Sequence, residues 1–596
     1  MRWLDAAAPG RRPAVGTSMM TKHQLPASID LAPVRLPPPP LQRWVLTALL
    51  TAEATLLLLV AARNPDRMNP DAVAYIQIAK YYAHARFGLA INAYWGPLLS
   101  WIMAPLIRAG MAPLMAARLA MALSGFIFLL GAREIFQVLR LRGWASILAN
   151  LIAGLFAVAQ SAEIITPDLL MSGIVCLGFA RILAAEWTDG RGAAWRAGAL
   201  LGLGYVAKSV ALPLAILLIV TGAAFAVATR RVALRPVLRA VRASIFGAAL
   251  LAGPWIAVLS LHANRFAWSD SGWINLAIVG PHYTGTGPEW RPPSQPSFTT
   301  FNVPAPGRVS SWEDPASLRY VSWSPLASWA DFRHELRLVR DNLSDTLHTL
   351  FGFDWLHLGL GSLLLAPLLV GAPAWREAPW RLGLVPVVCV SGLYLPLYSS
   401  GEQRYLFVCY PFLVAGAIGM ARIDLIVTRS GQANTRHRGW AGMRTVLATA
   451  LIATSFLGAM RYNLEDALVG RANPWFLAAR AYARTVREQR DRGAIASVKE
   501  LGFVGIFTAF LLDRPFYGTS DSVPGRAAAG SDLGAALATA SGARLVFVAR
   551  GSAIDRALQE DPHYRLIELP AASRSGQAAA SREVRLYARL GPMPPG

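Results

Sequence analysis

Six ionisable residues stand at the edges of apolar sequence: Asp71, Glu163, Asp168, Lys208, Glu402 and Arg404. A charge in such a place costs free energy unless it is partnered or used. Asp71 follows Asn69-Pro70, a turn and helix start, so its carboxylate falls at a helix N-terminus, where backbone N–H groups favour it. That position suits a helix cap or a catalytic base. Glu163-Ile-Ile-Thr-Pro167-Asp168 is a second acidic cluster, and Pro167-Asp168 suits either the cap of the next helix or chemistry. Lys208 interrupts an apolar hairpin between Gly204 and Pro213, where an ammonium either meets a phosphate or snorkels to an interface. Ser399-Ser-Gly-Glu402-Gln403-Arg404-Tyr405 is a short loop before another apolar run, and Arg404 there suits anion binding. Carboxylates beside cations at one lipid surface fit an acceptor base and a clamp for a lipid phosphate. Tyr75 and Tyr82 share a face of the helix that Asp71 opens, and Tyr94-Trp95 follows it. The first pair predicts an amphipathic helix lying on that surface.

The elements that must position these residues are membrane helices. The chain has 596 residues, 54% hydrophobic and only 15% charged, against about 25% charged in an average soluble domain. Apolar runs near the roughly 20 residues a bilayer requires predict about eleven spans. These lie at 43–62, 114–138, 144–161, 168–185, 197–209, 211–228, 244–262, 356–373, 382–398, 404–422 and 445–460. Pro97 to Arg108 is too short to cross and suits a re-entrant or interfacial helix. The net charge of +22 lies mostly in short arginine-rich segments between apolar runs, which follows the positive-inside rule and gives no nucleic-acid-binding face. With the N-terminus cytoplasmic, every inner loop is basic. Cys176, Cys389 and Cys409 lie in apolar runs with no metal or disulfide spacing, and read as small buried hydrophobes.

Residues 1–42 read as a basic, disordered cytoplasmic tail, 43–460 as the transmembrane module, and 461–596 as a small extracytoplasmic α/β domain. Short β-like runs begin at Ala494, Arg544, Tyr564 and Glu583, separated by alanine-rich helical pieces. The outer loops are 63–96 and 263–355. The second carries Trp268, Trp273, Trp290, Trp312, Trp323 and Trp329, which suggests burial at the interface or against a substrate. All six ionisable residues map to the same outer edge.

The chain resembles the GT-C glycosyltransferases, especially bacterial relatives of the protein O-mannosyltransferases and the lipid A aminoarabinose transferase. The residues that carry the resemblance are Asp71 with Tyr75, Tyr94-Trp95-Gly96-Pro97-Leu98, Pro167-Asp168, Lys208 and Gln403-Arg404-Tyr405-Leu406. They span roughly residues 43–425. The resemblance implies a mostly α, polytopic membrane fold and transfer of a sugar from a polyprenyl-phosphate donor to a lipid, glycan or protein acceptor outside the cytoplasm. It implies Asp71 as the base, with Lys208 and Arg404 holding the donor phosphate. Many relatives have an Asp-Glu pair in the first loop, whereas Ala72 follows Asp71 here. A divalent metal is therefore left open, and Glu163 or Asp168 is expected to supply the second carboxylate. Tyr82, Glu402, Gln403 and Tyr405 join Tyr75, Tyr94 and Trp95 as expected substrate contacts.

The sequence itself points the same way. It has neither a dinucleotide fingerprint nor an Asp-X-Asp metal motif to hold a nucleotide sugar. An outward-facing transferase needs a donor already carried across on a lipid, and a single displacement at the anomeric carbon inverts it. High Ala, Arg and Gly usage fits a GC-rich bacterium, hence its inner (plasma) membrane. The competing readings are a secondary transporter, which predicts repeats and polar groups at mid-membrane, and a flippase or assembly protein for lipid-linked glycans.

Overall fold

The computed structural model describes residues 40–281, 303–351, 378–397, 403–418, 463–497, 503–519, 543–569 and 583–590, except 229, 319 and 417. The first half is helical throughout: α1 (Pro40–Arg63), α2 (Pro70–Ala83), α3 (Phe87–Ala90), α4 (Leu98–Arg108), α5 (Pro113–Val138) and α6 (Trp144–Glu163). There follow α7 (Asp168–Leu183), α8 (Glu186–Asp189), α9 (Arg191–Ala207), α10 (Ala211–Ala228), α11 (Leu234–Ala263) and α12 (Ser271–Ile278). Proline opens α2 and α5, where its missing N–H costs nothing. Five helices among the described residues, α1, α5, α6, α10 and α11, are long and apolar enough to cross a membrane. This is a multi-pass membrane protein. The expected spans at 356–373 and 445–460 lie outside the described residues. The eleven-residue α4 is a short helix, as expected, and Cys176 and Cys409 are buried thiols.

Small residues let these helices approach closely. A Cβ on Gly198 of α9 would come within 1.8 Å of the Ser244 carbonyl oxygen on α11, and one on Gly202 within 2.5 Å of that of Ala248. The Gly198-x-x-x-Gly202 spacing puts both on one face, so the two backbones touch, as small-residue membrane interfaces do. The Trp187 indole N–H then donates to Ser244 Oγ at 3.0 Å and closes one end of the contact.

Beyond α12 lie a 3-10 turn at Ser311–Glu313, α13 (Trp329–Phe351), α14 (Ala378–Tyr394) and a 3-10 stretch at Gln403–Cys409. The C-terminal part is α/β. It holds α15 (Pro474–Glu488), β1 (Ala494–Ser497), α16 (Val504–Leu512), β2 (Phe516–Thr519), β3 (Ala543–Ala549), α17 (Ala553–Glu560), β4 (Tyr564–Ile567) and β5 (Val584–Arg589). The sheet runs β2-β1-β3-β5-β4, parallel in its first three strands and antiparallel in the rest. β2 had no counterpart among the expected strands.

α2 differs from expectation. It is buried nearly all round, down to Gln77 at 1% exposure, and is not an amphipathic helix on a lipid surface. It lies between α4, α16 and the Ser311–Glu313 turn. Lys80 Nζ meets Asp513 Oδ1 at 2.7 Å just beyond α16, and Arg480 of α15 pairs with Asp66 just before α2. The α/β part thus covers the face that sequence pattern alone assigned to lipid.

Adding a side chain at the α9–α11 contact forces the helices apart. Gly202→Val is expected to lower stability by about 1–3 kcal/mol, read as a drop in thermal unfolding temperature of the detergent-solubilised protein. Gly253→Val, on α11 where a Cβ meets nothing within 4 Å, should leave it nearly unchanged.

Candidate active site

Asp71, Asp168, Lys208 and Arg404 each sit at the end of an element: the starts of α2 and α7, the end of α9, and the start of the 403–409 stretch. Chain ends of this kind leave side chains free to converge, and these four line one cavity of about 220 Å³. Arg404 Nη1 lies 2.5 Å from Asp71 Oδ2, and Lys208 Nζ lies 2.5 Å from Asp168 Oδ1. Asp168 is 1% exposed and its Oδ2 has no hydrogen-bond partner among the described residues. Tyr405 lies against both cations, its ring centroid 4.6 Å from Lys208 Nζ and 5.2 Å from Arg404 Cζ. It also stacks on Tyr394 at 4.6 Å. The result is a clamp of two positive groups on an aromatic base, each balanced by a carboxylate.

The opposite wall is aromatic. Asn92 folds the loop before α4, its Oδ1 accepting from the backbone N–H of Tyr94 at 2.8 Å and of Trp95 at 2.9 Å. That turn stacks Trp95 edge-on to Tyr75, Tyr94 and Trp312 at 4.7–5.5 Å. Gly96 is pressed against α9, where a Cβ would come within 2.2 Å of the Ala207 carbonyl oxygen, one residue before Lys208. Burial, with Asp168 and Asp71 nearby, holds the Tyr75 hydroxyl well above the ordinary phenol range. Burial, with Tyr405 and Asp71, does the same for Tyr94. Both phenols therefore remain hydrogen-bond donors.

Asp71 is oriented from across the chain. Trp312 Nε1 donates to Asp71 Oδ1 at 3.3 Å, and Trp95 Nε1 donates to the Trp312 carbonyl at 2.9 Å. The turn that carries Trp312 is a capping box, with Ser310 Oγ accepting from Trp312 N while Glu313 Oε1 accepts from the N–H of Ser310 and Val309. Tyr81 of α2 donates to Glu313 Oε2 at 2.6 Å, and Asn92 donates to the Glu313 carbonyl at 2.5 Å. The N–H of Phe516 in β2 donates to the Val309 carbonyl at 2.6 Å, which ties the turn to the sheet.

Of the residues singled out from sequence, Asp71, Asp168, Lys208, Arg404, Tyr75, Tyr94, Trp95 and Tyr405 come together here. Glu163 and Tyr82 do not line the cavity: Glu163 pairs with Arg67, and Tyr82 packs edge-on to Trp101. Gln403 precedes the clamp without lining it, and Glu402 lies outside the described residues. Sequence reasoning gave no specific role to Trp312 and passed over Glu313, Asn275, Ser271 and Tyr394. The Ser310-x-x-Glu313 capping signature was the available signal for the first two. As for a metal, no group of three or more His, Cys, Asp or Glu gathers among the described residues, and each cavity carboxylate already faces a cation. These residues do not fit a divalent-metal site.

No family model matches the chain, and no curated protein matches it in sequence. Solved structures do. ArnT from Cupriavidus metallidurans bound to undecaprenyl phosphate is similar with a TM-score of 0.52 at 16% identity, over 92% of this chain and 99% of that one. The archaeal oligosaccharyltransferase AglB from Archaeoglobus fulgidus, in complex with an inhibitory peptide and a dolichol-phosphate, gives 0.50 at 13% identity, over 85% of this chain and 69% of that one. The chain has the GT-C fold. Within this GT-C frame the cavity lies among the ends of α2, α7 and α9, beside the α/β part.

Burial pushes the Glu313 carboxyl up to about 7, against the pull of Tyr81, the Ser310 and Val309 N–H groups and Arg308. The folded chain then holds this proton more tightly than the unfolded one. The stability it contributes is complete below the ordinary value of 4.5 and is lost as pH rises through about 7. The unfolding temperature of wild type should therefore fall relative to Glu313→Gln between those values. Parallel profiles for the two proteins would show that this carboxyl does not titrate there.

Proposed function

We propose that the protein is a membrane glycosyltransferase that moves a sugar from a polyprenyl-phosphate donor to an acceptor lipid, glycan or protein, with inversion at the anomeric carbon. The observation that carries this is the pairing of Asp71 with Arg404 and of Asp168 with Lys208 around one cavity of a GT-C fold. The solved neighbours bound to undecaprenyl phosphate and dolichol-phosphate support a phosphate-bearing polyprenyl ligand in this frame.

The donor phosphate engages Arg404 and Lys208, whose charges lie on the Tyr405 face. A planar guanidinium and an ammonium together suit a phosphate that gains negative charge as its bond to the sugar breaks. Drawing Arg404 toward phosphate loosens its hold on Asp71, which Trp312 keeps oriented. Asp71 takes the proton of the acceptor hydroxyl or amine as that atom bonds to the anomeric carbon. The electron pair of the breaking C–O bond leaves on the phosphate oxygen, and free polyprenyl phosphate departs. Asp168 holds Lys208 in place and takes no proton. On this reading the cavity faces the extracytoplasmic side of a bacterial inner membrane, with the N-terminus in the cytoplasm and the α/β part outside.

Purified protein in nanodiscs, given a panel of polyprenyl-phosphate sugars and acceptor extracts, is expected to release polyprenyl phosphate. Asp71→Asn should lower that release by about 10²–10⁴-fold. Arg404→Lys, which keeps the charge and loses the planar fork, should raise the donor KM more than it lowers kcat. A product that retains the donor's anomeric configuration would rule out single displacement. No turnover by folded wild type across the panel would sink the transferase reading.

A further inference from the structure

The clamp and the base occupy only part of the cavity. The remaining wall is the inward side of α12 with the residue leading into it: Trp268, Ser271, Gly272, Asn275 and Ile278. It carries no ionisable side chain. It is also firmly held. The Asp270 N–H donates to the Ala93 carbonyl at 2.8 Å, and the Tyr205 hydroxyl donates to the Trp268 carbonyl at 2.5 Å. Asp270 Oδ1 accepts from Trp273 Nε1 at 2.9 Å and from Arg265 at 2.5 Å. These tethers on the segment entering α12 and on Trp273 in its first turn fix the orientation of its polar face.

That face offers hydrogen bonds suited to hydroxyl groups. The Tyr94 hydroxyl donates to Asn275 Oδ1 at 3.2 Å, and the Asn275 amide N–H2 has no partner among the described residues. Ser271 Oγ and Ser209 Oγ are 2.7 Å apart, and Ser209 follows Lys208 directly, so a polar row leads from α12 to the clamp. The Thr166 hydroxyl and Asp168 Oδ2 are buried, lack partners among the described residues and belong to residues that line the same cavity. Asp168 has its charge already countered by Lys208, which leaves Oδ2 as an acceptor. Trp268, 37% exposed, and Trp312 supply indole surface, whose electron-rich face attracts the C–H side of a sugar ring.

We propose that the α12 wall is the subsite for the transferred sugar and that it selects an uncharged, hydroxyl-rich ring. This rests on the transferase reading. Continuity with Lys208 puts a ring on α12 directly beside a phosphate on the clamp, the arrangement of a glycosyl phosphate. A carboxylate or ammonium on the sugar would have to leave water for an α12 wall with no opposite charge, and the neighbouring Asp168 carboxylate is already countered by Lys208.

The test uses full-length protein in nanodiscs and measures Kd for free polyprenyl phosphate and for its neutral hexose, uronic acid and amino sugar conjugates. The neutral conjugate should bind more tightly than polyprenyl phosphate alone, and the two charged conjugates should gain nothing. Asn275→Ala should lose about tenfold in affinity for the neutral conjugate, with binding of polyprenyl phosphate alone as the internal control for folding. Ser271→Ala should show a smaller loss of the same kind. A charged conjugate binding best, or equal losses for sugar-bearing and sugar-free lipid, would overturn the subsite while leaving the transferase reading standing. Failure of wild type to bind polyprenyl phosphate at all would overturn both.

Discussion

Two carboxylates and two cations share a cavity that indole and phenol rings help to line, and the rest of the site is arranged around keeping them paired. In such surroundings an isolated charge loses hydration that nothing else replaces, and removing one member of a buried pair typically costs about 3–5 kcal/mol. Pairing sets Asp71 against Arg404 and Asp168 against Lys208, each cation of the cavity against a carboxylate, and keeps both cations in reach of a ligand. An arriving phosphate then competes with the carboxylates for two cations already in place, with little side-chain ordering left to lose.

Such pairing demands exact placement of side chains drawn from four distant parts of the chain, and the Ser311–Glu313 turn provides much of it. Glu313 collects Tyr81, Val309 and Ser310, and its carbonyl takes Asn92. Trp312, held between Trp95 and Asp71, passes that order to the Asp71 carboxylate. The turn is itself an extension of the sheet edge through Phe516. A soluble-looking α/β unit thus has a structural task at the membrane cavity, since it covers α2 and anchors the turn that orients Asp71.

What the sequence made legible follows from how local each signal is. Helices such as α1, α5 and α6 were readable because unbroken apolar runs leave few alternatives, and α4 because it stops short of a bilayer's thickness. Asp71, Asp168, Lys208 and Arg404 were readable because a charge beside an apolar run needs a reason. The burial of α2 was not, because it depends on α16, more than 400 residues away in sequence. β2 escaped because four residues, Phe516-Tyr-Gly-Thr519, carry no pattern of their own and become a strand only by pairing with β1. Glu163 drew notice for the same reason as Asp168, yet local sequence could not show that Arg67 would take it.

The site also draws on two groups of elements. Lys208, Tyr394 and Arg404 belong to helix ends packed among α7, α9, α10 and α14, while Asp71, Trp312 and Glu313 belong to the α2 and sheet side. Gly96 against Ala207 and the Asp71–Arg404 pair are contacts between the two. Backbone contact at Gly96 leaves no room for a side chain, so the distance from Asp71 to Lys208 and Arg404 is fixed by main-chain packing as well as by charge. Replacing the ion pair with a phosphate contact need not open the cavity, because this packing would still hold base and leaving group at a set separation. Geometry of that kind is what a single displacement requires: attacking atom, anomeric carbon and departing oxygen in line, with the proton acceptor on one side and the cations on the other.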